Sequence, residues 1–531
     1  MKMRINKYFI LGGVLASMGL SSCVGDLNVE PQDETKKMEL TSREEYLQDL
    51  AGCYYGLVRE GGINTGATGG EGVYTRLMFN MQELCSDECV IAQNWNDAGI
   101  DEMVYAIPGS DNHWIEDTYA RLLAHIAICN QFIKDISNSG EFFSDAEIQE
   151  MKAEVRVLRN LAYYNMIDLF GRGPWTDEYS VVGATPPTYD RQELFDAVVS
   201  DLLDAIPYVN PASQQEYGRV SREAGYALLA KLYLNAEVYT GTAMWQQCAD
   251  ACQNILNSGL KLCPDYKFLF CTTNDRHVAC STYGVDNELI WVVPENDITM
   301  QCWGGTTYLS VGAYSSSMPA ELKTQLACTG SPWQGPHMRP ETVNNFSDPN
   351  DQRAMFYGEI FNLNLENLIA WGDAGTDGYM CIKYTYTTED DYYNEAGAAG
   401  MSANDFNSTD TPIFRLADIY LMLVECEING ANVSGGSLQY LQAVQKRAGI
   451  ADANISTSLP TKRQLLDERN RELYWESHRR SDMIRLGYYT GSDYIWQWKG
   501  GVQEGTSIAE TRKLMPIPPA YVSTLGQNPG Y

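Results

Sequence analysis

Helical periodicity runs along both ends of this chain and all but vanishes for about 150 residues between them, and that interruption constrains the fold more than any other feature. In the first part, apolar residues recur at i, i+3, i+4 and i+7, as in Tyr119, Leu122, Leu123, Ile126, Cys129 and Ile133. That spacing lays one apolar stripe along a helix. The helix starts are marked by a short polar side chain followed three residues later by Glu or Gln, a pairing that satisfies two orphan amide donors. Thr41-Ser-Arg-Glu44, Ser144-Asp-Ala-Glu147 and Thr461-Lys-Arg-Gln464 are of this kind, and Asp190-Arg-Gln-Glu193 opens a further helix. Helices are predicted from Thr41 to about Val58, over 114–136, from Ser144 to Leu169 with Gly171 as stop, and from Asp190 to before Pro207. Two more run from Ser221 to about Tyr239 and from Ala243 to Leu256. From 262 to 412, Gly, Thr, Tyr, Trp, Asn and Asp take over, with short strand-like pieces such as Glu288–Val293. So long a stretch is either a second domain or a large functional insertion. Helices resume at Ile413–Asn429 and Ser437–Ala448, and a long one is predicted from Thr461 to about Arg485, ended by Gly487.

Residues 221–256 read as a helix–turn–helix whose halves are too short to bury their faces alone. Ala224, Ala227, Ala230, Ala249 and Ala251 let two helices approach closely, in the manner of a tetratricopeptide repeat. Repeated hairpins of this type stack into a superhelix. The predicted fold class is therefore mainly α: a tetratricopeptide-like helical-hairpin superhelix with a large, irregular, loop-rich insertion. Its parts are an N-terminal helical region 41–261, the insertion 262–412, and a C-terminal helical part and tail 413–531.

The extreme N-terminus reads as an address. Lys2, Arg4 and Lys7 precede an apolar run from Phe9 to Leu20 that is too short to span a bilayer, and Leu20-Ser-Ser-Cys23 follows. This is the anatomy of a secretory signal over 1–22. Its end resembles a bacterial lipobox, in which Cys23 is lipidated and 23–40 form a tether. Lys and Arg number 38 against 69 Asp and Glu, a formal net charge of −31. That balance excludes a default nucleic-acid binder, which needs a basic footprint. The remaining 13 cysteines show no paired spacing typical of zinc, which leaves buried apolar residues, disulfides or a metal as readings. Asp373-Ala-Gly-Thr-Asp377-Gly378 has the flavour of a calcium loop without the spacing of a defined one, so bound calcium is possible but no cofactor is predicted. The glycine-rich run 61–72 lacks the pattern of a phosphate loop, and no G-x-S-x-G or H-E-x-x-H occurs.

Several segments together resemble one family. They are Cys23 in its lipobox, Arg471-Glu-Leu-Tyr-Trp-Glu-Ser-His-Arg-Arg480-Ser-Asp-Met-Ile-Arg485-Leu-Gly487, Pro516-Ile-Pro518 and Gln527-Asn-Pro-Gly530. The chain is similar to SusD/RagB-type outer-membrane lipoproteins. Gln82–Cys89, Gly304–Tyr308 and Tyr494–Gly501 bring it near the starch-binding branch. The resemblance implies a tetratricopeptide-like scaffold with an irregular binding region, and a cell-surface glycan-binding protein that lids a SusC-like TonB-dependent transporter. It implies lipid anchoring in the outer membrane and no catalysis.

Sugar recognition needs flat aromatic faces against pyranose C–H faces, with planar polar groups for the hydroxyls, on loops held by a rigid scaffold. Two regions fit. One is Arg76 with Gln93-Asn-Trp95-Asn96-Asp97; the other is Trp303-Gly-Gly-Thr-Thr-Tyr308 with Trp333. The candidate glycan-binding residues are therefore Arg76, Trp95, Asn96, Trp303, Tyr308 and Trp333, with core packing as the alternative for each Trp. The family's glucan pattern matches best at Arg76, Asn96, Trp303 and Trp333. It departs where an aromatic is favoured at the position of Gln93. Starch-type α-glucan is the first expectation; xyloglucan, levan, mannan, a host glycan or a peptide are alternatives, and a glycoside hydrolase is a further one. Trp291 and Trp475 are read as core. The charges from Arg469 to Arg485 fit i,i+3 and i,i+4 structural pairing on a helix, with ligand or partner contact as the alternative.

Overall fold

A computed structural model of the chain describes residues 40–63, 65–91, 97–181, 183–328, 330–358, 378–393 and 405–531. The expected signal 1–22, Cys23, Trp95, Asn96 and residues 373–377 lie outside the described residues. Among those described, no helix is long and apolar enough to cross a membrane.

Contacts divide the chain into a short unit, Met1–Tyr46, and a body, Leu47–Tyr531. In the short unit the cap sits one residue later than expected. Glu45 N–H donates to Ser42 Oγ at 3.3 Å, and Thr41 N–H donates back to Glu45 Oε2 at 2.6 Å, because helix α1 (Arg43–Tyr55) begins at Arg43.

The body carries the long helices α2 (His113–Ile136), α3 (Asp145–Leu169), α4 (Arg191–Ala205), α5 (Arg222–Leu234) and α6 (Trp245–Leu256). Asn112 caps α2, and the boxes Ser144/Glu147 and Asp190/Glu193 cap α3 and α4 with both reciprocal bonds present. Consecutive helices pack as neighbours: α2 on α3, α3 on α4, α5 on α6. Gly225 of α5 is required where that helix crosses α3, since a Cβ there would lie 2.9 Å from Ile206 and 3.7 Å from Val157. After the irregular region, helix α7 (Leu416–Ile428) packs directly on α6 and then on α8 (Leu438–Arg447) and α9 (Lys462–Leu473). Helices on the two sides of the irregular region thus pack against each other.

Among the described residues, four two-stranded antiparallel ladders stitch the loops: β1 (Cys89–Ile91) with β5 (Pro336–Met338), β2 (Arg172–Pro174) with β3 (Thr188–Asp190), β4 (Leu289–Val293) with β8 (Thr411–Arg415), and β6 (Phe356–Tyr357) with β7 (Met380–Cys381). The predicted strand near 288–293 is β4. Its partner corrects a second expectation. Ile413 does not start a helix, because 411–415 pairs with β4 in the register Val293↔Thr411 and Leu289↔Arg415 before α7 begins. Two predicted helices are also divided. The one from Ser221 breaks at Asn235, whose amide donates to Lys231 O at 2.9 Å and accepts from Arg485 at 3.1 Å; a short helix Ala236–Thr240 follows. The long C-terminal one stops at Leu473 and restarts as α10 (Arg479–Leu486). Between them Trp475 and Ser477 adopt φ of 68° and 62°, and Gly487 closes α10 in the left-handed conformation.

Trp291 and Trp475 are both fully enclosed, as expected for core residues. The thirteen cysteines from Cys53 to Cys426 are all buried free thiols, which matches small apolar packing residues rather than bridges.

Candidate functional site

The glycine-rich run 61–72 has a structural task. Gly61 N–H donates to Gly69 O at 2.9 Å and Gly62 N–H to Ala67 O at 2.8 Å, which folds it onto itself. Gly70 then meets Gly304 backbone to backbone. A Cβ on Gly70 would sit 2.6 Å from Gly304 N, and one on Gly304 would sit 2.4 Å from Gly70 O. Thr75 Oγ1 donates to Gly304 O at 2.9 Å, and Glu60 Oε1 accepts from Trp303 N–H at 2.9 Å. The Trp303 loop is therefore pinned at the N–H of Trp303 and, one residue on, at the carbonyl of Gly304.

The Trp303 ring meets two others. Its centroid lies 5.6 Å from that of Trp333 at 44° and 4.1 Å from that of Phe406 at 45°. All three rings are partly exposed. Trp333 is held by its N–H to Val311 O at 2.9 Å, and it packs against the cluster of Val311, Tyr314, Met318, Leu326, Cys328 and Met380. Phe406 is placed by its neighbour: Asn407 N–H donates to Thr307 Oγ1 at 3.1 Å and its amide to Ser310 Oγ at 2.9 Å. Three segments far apart in sequence thus build one tilted aromatic cluster. Sequence reasoning missed Phe406, which stands beside no Gly or Trp; its adjacency to Asn407, a polar anchor, is the signal that was there to read.

Arg76 lies on the short helix Tyr74–Phe79 and is almost wholly enclosed. Its guanidinium sits 4.5 Å above the ring of Tyr308 and 5.1 Å from that of Trp114, and Nη2 donates to Asp97 Oδ2 at 2.9 Å. Tyr308 is a correction. Its ring is fully buried against Phe79, its hydroxyl donates to Asn80 at 3.1 Å, and burial raises its pKa. It shelves Arg76 and presents no face outward. The structure therefore brings Trp303 and Trp333 together with Phe406, and separately joins Arg76 to Tyr308 and Asp97.

The charge-dense C-terminal motif is structural, but its pairing is not along a helix. Arg415 contacts Glu472 at 2.5 Å, Glu476 at 2.6 Å and Glu288 at 3.0 Å. Arg353 contacts Glu468 at 2.7 Å and Glu472 at 3.2 Å, Arg447 contacts Glu288 at 2.8 Å and also pairs with Glu472, and Lys383 reaches Glu476 at 2.6 Å. Arg480, expected to pair with Glu476 one turn away, instead donates to the carbonyls of Arg512 and Lys513 at 3.1 and 3.0 Å. The break at 474–478 takes it out of register; Asp482–Arg485, at 2.8 Å, and Glu468–Arg471, at 2.6 Å, do follow the helical spacing. These guanidinium groups hold Glu472 well below the ordinary carboxylate range despite burial, and Glu468 down to about 2.

Among the described residues, no cluster of three or more His, Cys, Asp or Glu could hold a metal. Cys263, His277 and Glu389 lie in a row, with His277 Nε2 at 2.6 Å from Glu389. The Cys263 sulfur, however, is 3.6 and 3.8 Å from the two ring nitrogens, so it faces the carbon between them, and burial pushes its pKa up. The row lacks the activated thiol a nucleophile needs.

Residues 357–531 match the family described as "SusD family", and residues 31–234 match "Starch-binding associating with outer membrane". The starch-binding protein SusD of Bacteroides thetaiotaomicron is 27% identical over 586 aligned positions, covering 100% of both chains. Among solved structures, surface glycan-binding protein A from Bacteroides fluxus superposes with a TM-score of 0.70 at 18% identity, over 93% of this chain and 100% of that one. Surface glycan-binding protein A from Bacteroides thetaiotaomicron, in complex with laminarihexaose, gives 0.67 at 20% identity, over 92% and 100%. With the C-terminal motif, the helical scaffold and these matches in agreement, the chain belongs to the SusD/RagB family and has its tetratricopeptide-like fold.

Proposed function

We propose that this protein is a cell-surface glycan-binding lipoprotein, anchored to the outer membrane through Cys23, that captures an oligo- or polysaccharide and delivers it to a SusC-like TonB-dependent transporter. The observation that carries the binding reading is the partly exposed cluster Trp303–Trp333–Phe406, with its backbone pinned at Gly304 and Asn407. Rings tilted by 44° and 45° to Trp303 do not offer one flat platform, which favours the curved face of a helical α-glucan over a flat chain. Starch-type α-glucan is therefore the first candidate ligand. Trp95, Asn96 and Arg76 complete the proposed set, with Arg76 acting through the placement of Asp97.

The test is calorimetric titration of the form lacking residues 1–23 with maltoheptaose, cyclic α-glucan, laminarihexaose, xyloglucan, levan and mannan oligosaccharides. Trp303→Ala is expected to weaken binding of the active glycan by about tenfold or more, the cost of losing a central aromatic contact. Loss of a different glycan in the same variant would keep the site and replace the ligand. Binding unaffected by Trp303→Ala would overturn the site.

A further inference from the structure

Glu295 is buried and ties together two of the three segments that carry the aromatic cluster. Its carboxyl group contacts Thr306 N–H at 3.2 and 3.0 Å through Oε1 and Oε2, and Thr411 Oγ1 donates to Oε1 at 2.6 Å. Thr306 follows Trp303 by three residues and Thr411 follows Phe406 by five. Gly305 has no room for a side chain because this carboxyl group occupies the place of its Cβ, 2.1 Å away.

The protons of this small network bear on the state of Glu295. Thr306 Oγ1 lies 2.7 Å from Thr409 O and 3.2 Å from Glu295 Oε2. A carbonyl can only accept, so the one hydroxyl proton of Thr306 goes to Thr409 O. The remaining contact, oxygen to oxygen at 3.2 Å, is open to a proton from the glutamate. The Thr306 and Thr411 donors favour the ionised form, but among the described residues no cation offsets its burial, and the acid beside it opposes it. Asp410 accepts from Glu295 N–H at 3.0 Å and is bonded in turn to Tyr217. Cys302, Tyr384 and Tyr386 are the other titratable neighbours, and no Lys or Arg pairs with Glu295 among the described residues.

We propose that Glu295 is a neutral carboxylic acid acting as a positioning residue: it ties the Trp303 loop to the start of β8, its proton reaches Thr306 Oγ1, and releasing that proton into a site without a cation loosens the loop that carries Trp303. Burial without a cation acts in the same sense, pushing Glu295 up to about 8 and Asp410 up to about 7. The link from latch to ligand rests on the glycan-binding reading; the protonation does not.

The sign follows from linkage. The folded chain keeps a proton that the unfolded chain releases above its ordinary 4.5. Stability is fully present below 4.5, falls as pH rises toward about 8, and levels off above it. Chemical unfolding of wild type and Glu295→Gln, whose amide can donate as the acid does, is compared across pH 4–9. The wild-type unfolding constant is expected to rise relative to the variant by about tenfold per pH unit within that window. Infrared difference spectra should show a carboxylic-acid C=O band at pH 6 that is absent from Glu295→Gln. Thr411→Ala, which removes a donor to the ionised form, should move the titration of that band upward. A profile identical in wild type and Glu295→Gln, or no acid band at pH 6, would overturn the proposal; should Glu295→Gln fail to fold, the band and its shift in Thr411→Ala decide alone. Titration of the active glycan at pH 6 and 9, with binding lost at pH 9 only in wild type, carries the latch to function. A protonated Glu295 in a chain that binds no glycan would instead sink the glycan reading and leave the acid standing.

Discussion

The aromatic cluster and the buried ion-pair lattice are assembled in the same way and end in opposite states. Both draw on the irregular region: Trp303, Trp333 and Phe406 for one, Glu288, Arg353 and Lys383 for the other. The lattice puts its charges inside, most of them with two or more charged partners, where breaking one leaves an uncompensated charge in low dielectric. The cluster leaves its rings partly in water and places its polar anchors beneath them. Residue type alone points the wrong way in both: arginines and glutamates suggest a surface for anions, and tryptophans suggest a core. Exposure, set by what each segment pairs with, decides which region is free to meet a ligand.

Three substitutions test that contrast. The largest effect is expected for Glu472→Ala, which removes the carboxylate shared by Arg353, Arg415 and Arg447. Loss of about 3–5 kcal/mol of stability is expected in denaturant unfolding, with any glycan affinity of the remaining folded protein unchanged. Because the folded carboxylates titrate below their ordinary 4.5, lattice stability is present above that pH and drains away as pH falls toward about 2, the reverse of Glu295. Gly304→Ala comes next. A methyl group 2.4 Å from Gly70 O must separate the two backbones, at about 1–3 kcal/mol, and this time glycan affinity should fall with stability because Trp303 moves. Smallest is Asp204→Ala, whose carboxylate pairs with Arg156 at 2.8 Å but is 70% exposed. A change of about 0–1 kcal/mol, with no effect on binding, would confirm that burial and not pairing gives the lattice its weight. A large effect there would break the comparison.

Local rules were legible in the sequence. Ser144/Glu147, Asp190/Glu193 and Thr461/Gln464 announced helix starts because a cap is a contact within four residues, and Gly487 announced an end for the same reason. The enclosure of Trp291 and Trp475 followed from their apolar and helical surroundings. What stayed hidden was set at long range. Nothing near Trp475 or Ser477 calls for a positive φ; the break is fixed by Glu88 Oε1 accepting from Trp475 N–H at 2.6 Å and Glu83 Oε1 accepting from His478 N–H at 2.8 Å. Ile413 was taken for helix because its strand partner lies more than a hundred residues back. In the candidate site, Trp303 and Trp333 could be named from their glycine neighbours. The burial of Tyr308 under Arg76 and the arrival of Phe406 could not, since each depends on which distant segment lies alongside.

The same long-range bonds set an order of events. Asp87 is clasped by Arg479 at 2.6 and 2.7 Å and by Tyr494 at 2.6 Å, and Gln82 Oε1 accepts from Ser481 N–H at 3.0 Å. Nearly four hundred residues separate these partners. A chain that emerges N-terminus first presents Glu83, Asp87 and Glu88 long before anything exists to pair with them. Closing so long a loop is slow, and no truncation that stops short of residue 479 can bury those acids. The last tenth of the polypeptide therefore supplies the partners for acids in the first fifth, and until it arrives those carboxylates keep their segment in water.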